Sequence, residues 1–322
     1  MRTVSKKSIA VPVFKPRPFA ESLARRLELE EEAERTGHTF RRHPDRMRAE
    51  RLFVKPLLNL ALGFTGFYER GVKNALWPVV RSLELIFPNL PPAFDGYRVL
   101  HLSDLHIDCL ESLPGAVASV LKGVQADLCL MTGDYRFAIE GPCERVCAGM
   151  QQVVSSISAS DGTFAILGNH DPAEMAYALD DMGVGMLIND SVELRMGKDS
   201  LWIAGVDDSY DYRCDDLPRA LQQVPPDAFK LLLAHTPDLY ADASAAGIGL
   251  YLSGHTHAGQ VRLPWIGSVI QNSRAPRAYT HGYWRHRQMQ GYTSAGVGCS
   301  MLPIRFNCPP EIVLIELRSA WR

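Results

Sequence analysis

Five short motifs, Asp104-Leu105-His106, Gly133-Asp134, Gly168-Asn169-His170-Asp171, Ala234-His235 and Gly254-His255-Thr256-His257, each place metal-binding side chains just after an apolar run. They offer two Asp, one Asn and four His as candidate ligands: Asp104, His106, Asp134, Asn169, His235, His255 and His257, with His170 beside them. Oxygen and imidazole donors in this mixture, without Cys, suit manganese, iron or zinc, and suit a pair of ions better than one. Asp134 has two carboxylate oxygens and can bridge two cations. A pair of divalent ions clamps the attacking and leaving oxygens at phosphorus, so the chemistry indicated is hydrolysis of a phosphate ester or anhydride. Any one of these motifs alone would be incidental. Five of them, each in the same setting, are not.

The elements that must position them can be read from the residues just before. Val99–Ser103, Leu128–Met131, Phe164–Leu167, Lys230–Leu233 and Leu250–Leu252 are short apolar runs bounded by Gly, Asp and Asn, and such runs are buried strands. In open α/β sheets, ligands bind outside the carboxyl ends of the strands, so five distant segments deliver their polar residues to one edge. Helical stretches are expected at Gly115–Lys122, Glu144–Ile157 and Ala173–Met182, and later strands at Leu201–Ala204 and Glu311–Leu317. Asp171-Pro172-Ala173-Glu174 has the pattern of a helix start, with Asp171 as cap. His101 precedes Asp104 in the same run and reads as a core histidine or a supporting donor.

In order and type, D-x-H, G-D, G-N-H-D, H and G-H-x-H, these motifs resemble the calcineurin-like metallophosphoesterases from about Tyr97 to Leu317. The run Gly254–Gln260 with Leu263-Pro264, and the tail Leu302-Pro303-Ile304-Arg305-Phe306, resemble the YkuE-like bacterial branch. The resemblance implies a two-sheet α/β sandwich flanked by helices, with an amino-terminal helical extension. It implies one ion held by Asp104, His106, Asp134 and His257, and a second by Asp134, Asn169, His235 and His255, with manganese the first expectation. His170 would face the scissile phosphate. The family's second Asp of G-D-x-x-D is absent, because Phe137 stands there. The implied activity is cleavage of a phosphodiester or pyrophosphate bond, with a lipid-linked substrate such as UDP-2,3-diacylglucosamine as one reading. Hydrolases of that compound carry Arg where His170 stands, which weighs against it. A soluble phosphodiesterase or phosphomonoesterase acting on small molecules is the alternative, and a non-enzymatic scaffold the third. Arg136, Arg262 and Arg305 are candidates to hold a second phosphate or a sugar.

The chain of 322 residues carries a net charge of −2, but its charges are unevenly placed. Residues 1–90 hold 17 Lys and Arg against 10 Asp and Glu, while the remainder holds 17 against 26. The acidic remainder argues against nucleic acid as the main partner. The expected division is a basic, partly apolar extension over 1–90 and the catalytic domain over 91–322. Ser22–Arg35 reads as a solvated helix. Leu52–Tyr68 and Leu76–Phe87 are apolar, aromatic and flanked by basic residues, but broken by Pro56, Gly63, Gly66 and Pro78. Such a region suits an anionic membrane interface, not a span; a layer packed on the catalytic domain is the alternative. The absence of a leader pattern and seven scattered Cys give a cytoplasmic expectation, peripheral at the inner face of the membrane.

Overall fold

The structure, a computed structural model, describes residues 18–37, 39–41, 52, 66–139, 141–268 and 272–320. Two six-stranded sheets face one another. The first has the order β1 (Val79–Phe87), β14 (Glu311–Ser319), β2 (Tyr97–Leu102), β3 (Leu128–Met131), β4 (Thr163–Ala165), β5 (Gly185–Met186). The second has the order β12 (Gly282–His286), β13 (Met289–Thr293), β9 (Leu250–Ser253), β8 (Lys230–Leu233), β7 (Asp199–Gly205), β6 (Asp190–Met196).

Alternation along each strand sorts the core into three layers, because successive side chains point to opposite faces. Tyr97, Val99, Leu128 and Leu130 meet Leu231, Leu233, Leu250 and Leu252 between the sheets. Leu100, Leu102, Cys129 and Met131 point the other way. They pack under helices α3 (Leu113–Leu121), α4 (Glu144–Val154) and α5 (Glu174–Asp181). Leu232 and Tyr251 pack under α6 (Leu217–Ala220) and α7 (Tyr240–Ala245). This is the expected two-sheet sandwich flanked by helices. Strands β2, β3 and β4 are mutually parallel, as are β7, β8 and β9. Their carboxyl ends therefore open on one edge.

The amino-terminal region differs from its reading in three ways. Helix α1 (Ala24–Thr36) is not simply solvated: Leu23 and Arg26 are fully buried, and Leu23 joins the core under the first sheet. Val79–Phe87 is strand β1, parallel to β14 from Val79↔Glu311 to Phe87↔Ser319. It lies before the expected division at residue 90 and is hydrogen-bonded into the sheet that carries Asp104. Phe87, expected at a membrane interface, is a core residue. Residues 53–65, with Pro56, Gly63 and Phe64, lie outside the described residues, as do His38 and His43. Among the described residues no helix is long and apolar enough to cross a membrane.

Candidate functional site

Three of the five strand ends deliver their residues through left-handed backbone. Asp104, His106, Asp134, His255 and His257 all have positive φ, between 35° and 67°. Non-glycine residues adopt this region at a cost, and such strain collects where function fixes it. Two glycines make the close approach possible. A Cβ on Gly168 would collide with the Asp134 carboxylate, and one on Gly254 with Ser103 Oγ and Asp104 Oδ2.

Asp134 stands at the centre. Its Oδ2 lies 3.4 Å from His106 Nε2 and 3.3 Å from His235 Nε2, and its Oδ1 accepts the His170 backbone N–H at 2.9 Å. On one side, His257 Nε2 is 3.1 Å from His106 Nε2 and 3.4 Å from Asp104 Oδ1. On the other, Asn169 Oδ1 is 3.1 Å from His235 Nε2 and 2.9 Å from His255 Nδ1. All seven expected ligand residues come together in two groups that share Asp134.

The tautomers are set from behind. His106 Nδ1 donates to Arg136 O at 2.6 Å, and His235 Nδ1 donates to Thr132 O at 2.8 Å. Each turns its Nε2 toward the oxygen lone pairs of Asp134; His106 does so as a neutral imidazole, while His235 carries the positive charge that Asp134 demands unless a cation supplies it. Asn169 Nδ2 donates to Asp211 Oδ2 at 3.1 Å, which turns its Oδ1 toward the two histidines. Lone pairs converging on lone pairs in a buried site require positive charge between them.

The electrostatics agree. Burial opposes charge on His235, yet Asp134, Asp104 and Asp208 outweigh it and push the imidazole up to about 10. Burial pushes the Asp104 carboxyl up to about 7, against the pull of His235. Burial lowers His106 to about 4 and His255 to about 4, keeping both as neutral donors. His255 Nε2 is buried with no hydrogen-bond partner. The donor set, its buried lone pairs and its acidity fit a pair of divalent cations.

His170 is half-buried and lies beside the first group, its ring 4.8 Å from that of His106. Its Nδ1 donates to Phe137 O at 3.0 Å, so Nε2 is the ring nitrogen available for proton exchange. Burial draws its pKa below the ordinary value, with Asp134 opposing. Phe137 replaces the family's Asp, and Asp108 holds this loop by accepting its backbone N–H at 2.6 Å.

Asp171 is not a helix cap: α5 begins at Glu174, with Ala173 before it. The buried carboxylate instead accepts the backbone N–H groups of Asp134 at 2.7 Å, Gly168 at 2.8 Å and Tyr135 at 2.9 Å. It ties two ligand loops together. His101 is a core histidine that also supports the site. Its Nε2 donates to Thr132 Oγ1, which donates to Ser103 Oγ, which donates to Asp104 Oδ2. Of the three candidate arginines, Arg305 is buried and donates to the carbonyls of Ala295, Gly296 and Gly298. Arg136 is buried and donates to Gly141 O. Both are structural. Arg262 alone lines a cavity, of about 200 Å³, with Thr256, Ala258, Arg277 and His281. A hydrogen bond to Cys299, and then burial, raise the Cys109 thiol, which is not poised as a thiolate.

The sequence reading missed the brace contributed by the amino-terminal segment. Arg26 on α1 forks onto Asp207 with Nε at 3.1 Å, and its Nη1 donates to the carbonyls of Gly168 and Asp171. Glu30 accepts the Ala173 N–H at 3.0 Å. Arg41 donates to Asn169 O at 2.7 Å and to Asp211 Oδ2 at 3.0 Å. Three side chains of residues 26–41 thus grip the Gly168–Ala173 loop. A signal existed in Asp207-Asp208-Ser209-Tyr210-Asp211, an acidic run after an apolar strand in the same setting as the five motifs.

Residues 97–259, half of the chain, match the family described as calcineurin-like phosphoesterase. The uncharacterised metallophosphoesterase YkuE of Bacillus subtilis is 29% identical over 71% of this chain and 82% of its own. The phosphodiesterase YaeI of Escherichia coli is 28% identical over 69% of this chain and 82% of its own. Among solved structures, the sulfate thiohydrolase SoxB of a Thermus species aligns at a TM-score of 0.41 and 14% identity, over 71% of this chain and 57% of that one. With the motifs in order over the matched residues and their side chains gathered at one sheet edge, the chain belongs to the calcineurin-like phosphoesterase family, a metal-dependent phosphoester hydrolase by that membership.

Proposed function

We propose that the protein is a dinuclear metal-dependent phosphodiesterase. Asp104, His106 and His257 would hold one divalent ion; Asn169, His235 and His255 would hold the other; Asp134 would join both. Manganese suits this mixed oxygen and imidazole set, and iron or zinc would also fit it. The single observation that carries the reading is Asp134 Oδ2, placed within 3.4 Å of an imidazole Nε2 from each group. When bound, the ions supply Lewis-acid charge and a water acidic enough to attack phosphorus at neutral pH.

The chain's own residues do the rest. Asp134 fixes the spacing of the two groups and, through Oδ1, holds the backbone of His170. His170, pinned at Nδ1 by Phe137 O, presents Nε2 to exchange a proton with the leaving oxygen, a role that contributes typically about 10²–10⁴-fold. Asp171 and the Arg26–Arg41 segment keep the Asn169–His170 loop in register with Asp134. The relative named phosphodiesterase supports a diester substrate. UDP-2,3-diacylglucosamine gains no support from the relatives, and the substrate class proposed is a phosphodiester.

The test is hydrolysis of bis-p-nitrophenyl phosphate by the purified full chain. Turnover should require divalent metal, be lost on chelation, and fall by at least a hundredfold in Asp134→Asn. Unchanged turnover in that variant would overturn the reading.

A further inference from the structure

The loop carrying His255 and His257 runs directly into a short hairpin, β10 (Arg262–Leu263) and β11 (Gly267–Ser268). Its tip is apolar and faces water. Trp265 is fully exposed, at 103%, Ile266 at 65% and Leu263 at 44%. The hairpin is nonetheless firmly seated. Arg262 N–H donates to Phe306 O at 3.0 Å, Asn307 Nδ2 donates to Arg262 O at 2.8 Å, and Arg277 Nη2 donates to Ser268 O at 2.6 Å.

Phe306 links this hairpin to a second apolar group. Its ring meets that of Phe67 at 6.0 Å, and Phe67 is half exposed at the start of helix α2 (Phe67–Ala75). Helix α2 is fixed to the same segment by Asn74 Nδ2, which donates to Arg305 O at 2.9 Å. Two residues beyond α2, Trp77 is 76% exposed. It precedes Val79, which pairs with Glu311. Because β14 runs antiparallel to β2, that end of β14 lies at the sheet edge that carries Asp104. Two exposed tryptophans and an exposed phenylalanine thus stand on the site's edge of the molecule.

The charges around them are mostly positive. Arg262 and Arg277 flank the hairpin, and α2 carries Arg70 and Lys73 against Glu69 alone. An exposed tryptophan on the hairpin, with Phe67 and Trp77 on the same edge and Arg and Lys side chains among them, is chemically complementary to an interface of acyl chains below anionic head groups. Large apolar side chains held in water on one face mark an interaction surface. We propose that the Leu263–Ile266 hairpin tip, with Phe67 and Trp77 on the same edge of the molecule, docks the protein on an anionic lipid bilayer. The metal-ligand loop, immediately before the hairpin in the chain, would then face that surface. The docking itself does not depend on the phosphodiesterase reading.

The experiment is co-sedimentation of the full chain with phosphatidylcholine vesicles, with and without phosphatidylglycerol, across a salt series. The comparison is a Trp265→Ser/Ile266→Ser double variant, with hydrolysis of soluble bis-p-nitrophenyl phosphate as a control for folding. Wild type should bind the phosphatidylglycerol vesicles and release with salt. The double variant should bind at least about tenfold more weakly, as expected when two buried apolar side chains are lost, with soluble turnover unchanged. Equal binding by both proteins, no binding by wild type, or equal binding to both vesicle types would overturn the proposal. So would a concentration-dependent dimer that the double variant abolishes, which would assign the surface to a second copy. Binding without turnover would support the docking and sink the phosphodiesterase reading instead.

Discussion

Arg26 offers the sharpest test of how the amino-terminal segment serves the site. Its side chain and that of Asp207 are both at 0% exposure, joined through Nε and Nη2. The guanidinium also lies 3.7 Å from the centre of the Tyr212 ring and donates to two carbonyls of the Asn169–His170 loop. Arg26→Met keeps the apolar stem but leaves Asp207 buried without its counter-charge. Breaking a buried pair from one side costs about 3–5 kcal/mol, a large part of a total stability of roughly 5–15 kcal/mol. Arg25 is the control. Its pair with Glu28 is more than half exposed, and Arg25→Met should cost less than about 1 kcal/mol. Adding Asp207→Asn to Arg26→Met removes the stranded charge and should restore more than half of the loss. Urea denaturation of the four proteins measures all of this, and metal affinity should fall in Arg26→Met as its loop loosens. If Arg26→Met costs no more than Arg25→Met, the segment is decoration and the brace argument fails.

Other outcomes follow from the same geometry. His170→Ala should retain both metals while turnover drops, more steeply for an alkyl ester than for a p-nitrophenyl ester, whose leaving group needs little protonation; equal losses would remove the proton-transfer role. Asp171→Asn presents an amide N–H₂ to the backbone N–H groups of Asp134, Gly168 or Tyr135. Metal affinity should fall at least tenfold, and wild-type affinity in that variant would show that the loops hold their register unaided. Burial draws His101 down to about 3 from 6.5. The unfolded chain therefore binds a proton that the folded chain refuses, and stability falls as pH drops from 6.5 toward 3. In thermal melts across that window His101→Gln should show a shallower slope than wild type, and parallel slopes would contradict the assignment.

The strand ends announced themselves in the sequence because a buried strand of three to six residues leaves little freedom. Leu128–Met131 must end at Gly133-Asp134, and Lys230–Leu233 at His235, so the ligand types and their edge could be read from order alone. What could not be read was carried by contacts distant in the chain. Arg26 meets Asp207 across 181 residues, and no local pattern distinguishes it from Arg25, which is exposed. Val79–Phe87 was ambiguous for another reason. Its burial is interrupted because it is an edge strand, so its apolar residues could equally have suited a membrane interface. Asp171 had every local mark of a cap, yet three backbone N–H groups brought together by the fold claimed its carboxylate. The left-handed backbone at Asp104, His106 and Asp134 had no glycine to betray it.

Anomalous diffraction from crystals grown with manganese tests the central claim most directly. Two peaks should appear, one among Asp104, His106 and His257 and one among Asn169, His235 and His255, both adjoining Asp134, with Asp134→Asn weakening both. A single peak, or two peaks of which neither adjoins Asp134, would contradict the dinuclear site.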